Sequence, residues 1–421
     1  MPAVSRGNPA VIGEMNRNLV LNLIRNRMPI SRKEIAHISG LSTAAVSKIT
    51  GVLLERGLIH EVGEQIQENA GRRSILLRLN PTAGFVIGVK ITERAISSVV
   101  TDLEASIRHS ELKDIAHVAL RPAPGQPINP VLLLDHVVQS IDSTISRCGI
   151  DLTQLMGIGI GINGLVDSKA GISVMAPHFG WRDVPISQII RQHFDIPVVV
   201  ENDIRTLTIA EQSFGHGRGI EHFVTVALGF GVGAGFVVNG QIDRGAGGGA
   251  GEFGHIIVQS GGPVCSCGRR GCLEAFTSEP AIVRQVKEWM AAGRPTTLTT
   301  IGSLEQIVNA ANEGDSLCQD VLAEAGRWLG VGVSSLINIL NPELIIIAGE
   351  SVSAGHWLLD PMQQTIRDLS FAGMGANLKI AIEQSGTETW ARGAACVVLS
   401  HLFASPLEGE TNQAVQRLGT W

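Results

Sequence analysis

The spacing of apolar residues along the chain changes once, at Asn80-Pro81. Before that point it follows the three-and-four rule of helices that bury one side. Leu19, Val20, Leu23 and Ile24 form one stripe, and Met28-Pro29 ends it. Ser31 stands three residues before Glu34, the spacing of a capping box, and starts a short helix carrying Ile35, Ala36 and Ile38. Gly40-Leu41 predicts a tight turn, after which Ser42 caps a third helix with Val46, Ile49, Leu53 and Leu54 on its buried face. Two short helices across a glycine turn make a helix-turn-helix. The polar stretch EQIQENAGRR and the alternating SILLRLN that follow have the pattern of a wing.

Beyond Asn80-Pro81 the texture is that of alternating strands and helices. FVIGVKITERAISSVVTDLEA at 85–105 reads as strand, turn, strand, and FVTVALGFGVGAGFVVNGQI at 223–242 repeats that reading further along. Two copies of one opening predict a duplicated α/β fold with a ligand cleft between its halves. The expected divisions are a winged helix at 1–80, a first lobe at 81–200 completed by a C-terminal helix at 388–403, a second lobe at 201–387, and a flexible tail at 404–421.

Charge sharpens the division. Residues 1–80 hold 11 Lys and Arg against 6 Asp and Glu, whereas the remainder holds 22 against 33, so only the first segment suits a polyanion. Ser42, Thr43, Ala44, Ser47 and Lys48 at the start of the third helix are small or hydrogen-bonding groups able to approach base edges in a major groove of operator DNA. Arg72 and Arg73, beside Gly71 in the wing, suit a minor groove or phosphates. A small helical module for protein contacts is the alternative. The N-terminus lacks an apolar leader and no run of 18 uncharged apolar residues occurs, so the expected compartment is the cytoplasm, without a membrane partner.

In a reducing compartment, clustered thiols point to a metal or to redox chemistry rather than to structural disulfides. His255, Cys265, Cys267 and Cys272 follow the spacing His, nine residues, Cys, one, Cys, four, Cys. Three thiolates and an imidazole satisfy tetrahedral zinc and leave no position for a water, which predicts a structural ion. A redox cluster or unconnected buried cysteines are the competing readings. Glu252 and Glu274 flank this clip, and Glu201-Asn202-Asp203 follows the strand-like IPVVV.

The winged helix, GIGIGINGLVD, APHFGWRDVPI, ENDIRTLTIAE, GAGEFGHI, CSCGRRGCLE and NILNPELIIIAGE occur in that order, and together they resemble the ROK group of repressors, open reading frames and sugar kinases, specifically its helix-turn-helix repressors. The resemblance spans about Asn16 to Leu402. It implies an actin-like, hexokinase-like (duplicated ribonuclease H-like) two-lobed body with a sugar between the lobes, and the same four zinc ligands. Among the kinases of the family, the Asp aligned with Asp203 accepts a proton from a sugar hydroxyl. Asn202, Glu252 and Glu274 align with groups that hold other hydroxyls, and zinc-bound His255 would line the same pocket. His178 stands where many relatives have Asn, which implies a different preferred sugar or a packing role. Active family kinases carry Asp-x-Gly-Gly-Thr in the first hairpin turn, where this chain has Lys90, Ile91, Thr92, Glu93 and Arg94. The glycines that admit phosphates and the metal-binding acid are both replaced, so the resemblance implies a sensor without kinase activity, acting as a homodimer or homotetramer. A sugar kinase with an attached DNA-binding domain, and a scaffold protein stabilised by zinc, are the alternatives.

Overall fold

The computed structural model describes residues 9–65, 74–118, 120–121, 126–376, 378–384 and 386–403. The N-terminal module comprises α1 (Pro9–Arg27), β1 (Ile30–Ser31), α2 (Arg32–Ser39), α3 (Thr43–Glu55), β2 (Ile59–Gln65) and β3 (Ser74–Leu79), with a small sheet in the order β1-β3-β2. The capping box forms as its spacing predicts: the Glu34 amide donates to Ser31 Oγ, and the Ser31 amide donates to Glu34 Oε2 at 2.9 Å. Gly40 closes α2 in the left-handed conformation at φ 70°, and Ser42 caps α3 by accepting from the Ala45 amide. Val20, Ile24, Ile35, Val46 and Leu53 are buried. Two expected core members are not: Leu19 and Ile38 are exposed, and Leu21 takes the inward position on α1. Arg72, Arg73 and the tail at 404–421 lie outside the described residues.

The first lobe follows with β4 (Phe85–Ile91), β5 (Ala95–Asp102), β6 (Ile107–Asp114), α4 (Pro130–Cys148), β7 (Leu155–Ile162), β8 (Leu165–Asp167), β9 (Ile172–Ala176), β10 (Trp181–Val184), α5 (Ile186–Arg191) and β11 (Val198–Asn202). Its main sheet runs β11-β7-β4-β5-β6; β4, β5 and β6 are antiparallel, and β7 and β11 are parallel to β4. Then come α6 (Asp203–Phe214), β12 (Phe223–Leu228), β13 (Val232–Val238), β14 (Gln241–Asp243), α7 (Glu274–Thr277), α8 (Glu279–Ala291), α9 (Leu304–Asn312), α10 (Ser316–Leu340), β15 (Leu344–Ala348), α11 (His356–Leu369), β16 (Lys379–Ile382) and α12 (Thr387–Phe403). The second sheet runs β14-β13-β12-β15-β16, with β12, β13 and β14 antiparallel and β15 and β16 parallel to β12. In order within each lobe, both sheets read third, second, first, fourth, fifth strand, so the repeated hairpin marks a true duplication of topology. Glu201 and Asn202 are paired with β7, so the lobe boundary expected at 200/201 falls inside β11.

Two helices join these units. α6 leaves β11 and packs on β13 and α12, while α12 returns from the second lobe to cover β4, β5 and β7 of the first. The far end of α12 enters the winged-helix core: Ala395, Cys396, Leu399, Leu402 and Phe403 pack in one cluster with Val20, Leu21 and Ile24 of α1. Asn22 donates to the Phe403 carbonyl at 2.6 Å, and the Arg25 guanidinium lies 4.4 Å from the Phe403 ring centre. Burial lowers the pKa of Arg25.

Candidate functional site

The end of β11 delivers Asn202 and Asp203 to the cleft. Asn202 has non-helical backbone and caps α6: its Oδ1 accepts from the amides of Ile204 and Arg205, and its Nδ2 donates to the Gly164 carbonyl at 3.0 Å. One amide hydrogen remains for a ligand. Asp203 is buried at the first turn of α6, where the helix dipole favours an anion. Behind them Glu201 is buried with Arg205, which donates to it at 2.7 Å, and with Arg244 at 2.9 Å. Burial pushes the Glu201 pKa up, but the two guanidinium groups outweigh it and hold the group below its ordinary range. Arg205 also donates to the Gly248 carbonyl at 2.8 Å, fastening the glycine-rich loop that precedes Glu252.

The first hairpin turn is where the structure adds most. Lys90, at the end of β4, forms a buried ion pair with Asp203. Its ammonium also lies 4.7 Å from the centre of the Trp390 ring on α12. Glu93, three residues along, pairs with His178 Nδ1 at 3.1 Å. Burial lowers the His178 pKa, but the Glu93 contact and the charges of Glu274 and Asp203 outweigh it, so the imidazole titrates above its ordinary value. Glu93 is correspondingly held below the ordinary carboxylate range, its contact with His178 outweighing burial. His178 therefore faces the Glu93 carboxylate at the first hairpin turn. It meets Phe230 edge-on at 5.1 Å, and because Phe230 sits on the β12–β13 turn this contact bridges the two lobes.

That second turn retains its glycines, but Glu350 places its carboxylate over Gly229. Both hairpin turns thus face charged side chains of this chain. On the other wall, Glu274 is buried at the start of α7; its Oε2 accepts from the Val232 amide at 3.1 Å and its Oε1 from Ser266 Oγ at 2.7 Å. Glu252 is more open, with Oε2 3.9 Å from His255 Nε2.

The ligating atoms of His255, Cys265, Cys267 and Cys272 all lie within 4.8 Å of one another. Cys267 and Cys272 sulfurs are 3.7 Å apart, and Cys265 Sγ is 3.6 Å from His255 Nδ1. A tetrahedron with metal–sulfur bonds of about 2.3 Å and metal–nitrogen bonds of about 2.1 Å has edges of about 3.8 and 3.6 Å, so the donor set fits such an ion. Burial raises the thiol of Cys272 to about 12, whereas at Cys267 hydrogen bonding with Arg269 and the neighbouring thiols outweighs burial and brings it down to about 6. A divalent cation is the species that stabilises three thiolates at such separations. With Nδ1 facing the cysteines, Nε2 faces Glu252, which ties the clip to the cleft.

At the opposite end, Ser42, Thr43, Ala44, Ser47 and Lys48 are all exposed at the N-terminal half of α3. The sequence reading picked out these residues and the clip, but it missed the pairing of Lys90 with Asp203, the Glu93–His178 pair, Arg205, Glu350 and Trp390. A signal existed for the first: a lysine in an otherwise apolar strand, FVIGVKI, needs a buried counter-charge. Among the described residues no helix is long and apolar enough to cross a membrane.

A winged helix fused to a duplicated, sugar-kinase-like body defines the class: a regulator built on a kinase scaffold. The chain belongs to the ROK family, whose model matches residues 86–401. It is 33% identical to the DNA-binding transcriptional dual regulator NagC of Escherichia coli over 89% of this chain and 90% of that one. It is 29% identical to the xylose repressor of Caldicellulosiruptor bescii, over 95% and 99% of the two chains. Among solved structures, a ROK family transcriptional regulator described as a homologue of the E. coli MLC protein superposes with a TM-score of 0.82 at 29% identity, covering 97% of this chain and all of that one. These relatives support a sugar-responsive repressor over a sugar kinase.

Proposed function

We propose that this protein is a transcriptional repressor acting in the cytoplasm, which binds operator DNA through α3 and its wing and is modulated by a sugar bound in the cleft between its lobes. The observation that carries the reading is the Lys90–Asp203 ion pair. A kinase needs Asp203 free to accept a hydroxyl proton and needs the first turn open to phosphate. Here the turn supplies a cation to that same carboxylate, and Glu350 faces the second turn. Asp203 then serves as a hydrogen-bond acceptor for a sugar hydroxyl, alongside the remaining Asn202 hydrogen, Glu252, Glu274, the Glu93–His178 pair and His255.

The clip is a structural zinc site in this reading; zinc bound there would fix the 255–272 loop and orient His255 Nε2 toward Glu252. The units are a winged helix to residue 80, a first lobe from 81 to the end of β11 at 202, completed by α12, and a second lobe from 203 to 387. The active form is a homodimer or homotetramer, because two reading heads on half-sites one DNA turn apart are sensitive to lobe arrangement. A sugar that prefers one arrangement shifts its population by the difference in affinity for the two.

The test is a thermal-shift screen of D-xylose, D-glucose and N-acetylglucosamine, followed by operator binding with each hit. A sugar that stabilises the protein and changes operator affinity supports the reading. ADP release at an ordinary enzymatic rate, or operator affinity indifferent to every sugar that binds, would overturn it.

A further inference from the structure

Resting on that reading, we propose that Lys90 and Trp390 are the positioning residues through which an occupied sugar site acts on the DNA-binding head. Lys90 contacts Asp203 on one side and the face of Trp390 on the other. Trp390 belongs to the first turn of α12 and packs with Leu207 of α6 and with Ala227 and Ala348, which lie on β12 and β15 of the second lobe. The start of α12 is therefore held by both lobes, its middle lies on the first-lobe sheet, and its end is part of the winged-helix core.

The 13 helical steps from Trp390 to Phe403 span about 20 Å. A helix packed along its length moves as a body, so a displacement at Trp390 is carried to Phe403 and thence to Asn22 and Arg25 on α1.

The competing arrangements are defined by chemistry. A sugar hydroxyl that donates to Asp203 takes up acceptor capacity that Lys90 uses in the free protein. The ammonium then relies more on the Trp390 face, a contact that strengthens in a desolvated site. Any shift of the second lobe against the first acts on the same indole through Ala227 and Ala348. Lys90 thus joins the two events that binding produces, loss of an ion-pair contact and movement of the lobes.

The experiment uses the full-length protein, a DNA duplex selected in vitro with the wild-type chain, and whichever of D-xylose, D-glucose and N-acetylglucosamine shifts its melting temperature. The readout is the ratio of operator Kd with saturating sugar to operator Kd without it. Coupling free energies of ordinary size make the wild-type ratio roughly 5- to 150-fold. Lys90→Met and Trp390→Leu should each bring the ratio below about twofold, and Lys90→Arg, which keeps the cation, should hold it within about twofold of wild type. The double variant Lys90→Met/Trp390→Leu should be no worse than either single change, as expected of two residues in one contact. Trp390→Leu keeps every polar group of the sugar site and carries the test if Lys90→Met fails to fold. A wild-type ratio retained in Trp390→Leu or Lys90→Met overturns the inference, as does a loss in Lys90→Arg equal to that in Lys90→Met. A ratio of one in the wild type sinks the functional reading itself, which is a separate result.

Discussion

Gly88→Ala tests whether α12 is as closely seated as the relay between lobes and head requires. Gly88 lies in β4 under α12, and a methyl group there would sit 1.8 Å from the Ala391 carbonyl oxygen and 2.6 Å from the Ala395 amide nitrogen. Ordinary carbon contacts begin near 3.5 Å, so the helix must lift by about 1.5 Å. A gap of about 1 Å forfeits a quarter to a half of the dispersion energy of the facing atoms. Ala394, Val398 and Leu399 are fully buried on α12. A quarter to a half of roughly 2 kcal/mol of burial for each of Val398 and Leu399 is about 1–2 kcal/mol, and overpacking adds about 1–3 kcal/mol, so the cost comes to about 2–5 kcal/mol. Because the same helix ends in the winged-helix core, operator affinity should fall as well. Urea titration followed by tryptophan fluorescence measures the first effect, and fluorescence anisotropy on labelled operator measures the second. Gly51→Ala is the control: in α3 with nothing within 4 Å of the added methyl, it should gain about 1 kcal/mol of helix stability. If Gly88→Ala costs less than about 1 kcal/mol and leaves operator binding at the wild-type level, the packing argument for α12 is wrong.

Three further outcomes follow from the same contacts. Asp315 caps α10 and accepts from Thr296 Oγ1, from the amide and hydroxyl of Thr297, and from the Cys318 amide. Burial would raise its pKa, but these bonds outweigh it and hold the carboxyl below its ordinary value, so its contribution is complete above about pH 4 and fades as pH falls through the folded-state value. Asp315→Ala should therefore cost about 3 kcal/mol at pH 7 in chemical denaturation, and the gap to wild type should narrow in acid. Cys272→Ser should reduce bound zinc, measured by mass spectrometry of the native protein, and loosen the 255–272 loop toward proteolysis. Lys48→Ala on the exposed face of α3 should lower operator affinity and reduce the slope of log affinity against log salt by about 0.9 if that lysine holds a phosphate. An unchanged slope with lost sequence preference would instead place Lys48 on a base edge.

What could be read from the chain divides by the range of the interaction. Ser31 with Glu34, Gly40 and Ser42 act within one turn of helix, so their spacing was sufficient to place α2 and α3. The hairpins at 85 and 223 and the His/Cys clip are likewise local patterns, and each occupies the expected position. Leu19 and Ile38 were misjudged because periodicity fixes a helix face to within about one residue, while the neighbours that cover it lie elsewhere in the chain. The lysine in FVIGVKI signals a need for some buried counter-charge, but nothing local identifies Asp203, 113 positions away, or Trp390, 300 away, as its neighbours. The substituted turn could be recognised, but not where its new side chains would point.

The positions of those side chains explain how a kinase scaffold becomes a sensor without being rebuilt. Transfer of a phosphoryl group depends on open, glycine-lined turns and on a carboxylate free to take a proton, and side chains that fill the turn or engage that carboxylate oppose it. In the function proposed above, sugar recognition uses instead carboxylates and amides held by capping and backbone donors, as Asn202 and Glu274 are here, beside the His/Cys cluster. Lys90 uses the vacated turn twice, neutralising Asp203 within the cleft and supplying a cation to the aromatic face at the root of α12. An uncharged residue at position 90 would also abolish transfer, yet it would leave Asp203 a buried carboxylate without a counter-charge and Trp390 without a link to the pocket. Loss of catalysis alone would have been satisfied by many residues; lysine also supplies the counter-charge for Asp203 and, in the proposal above, the link to Trp390.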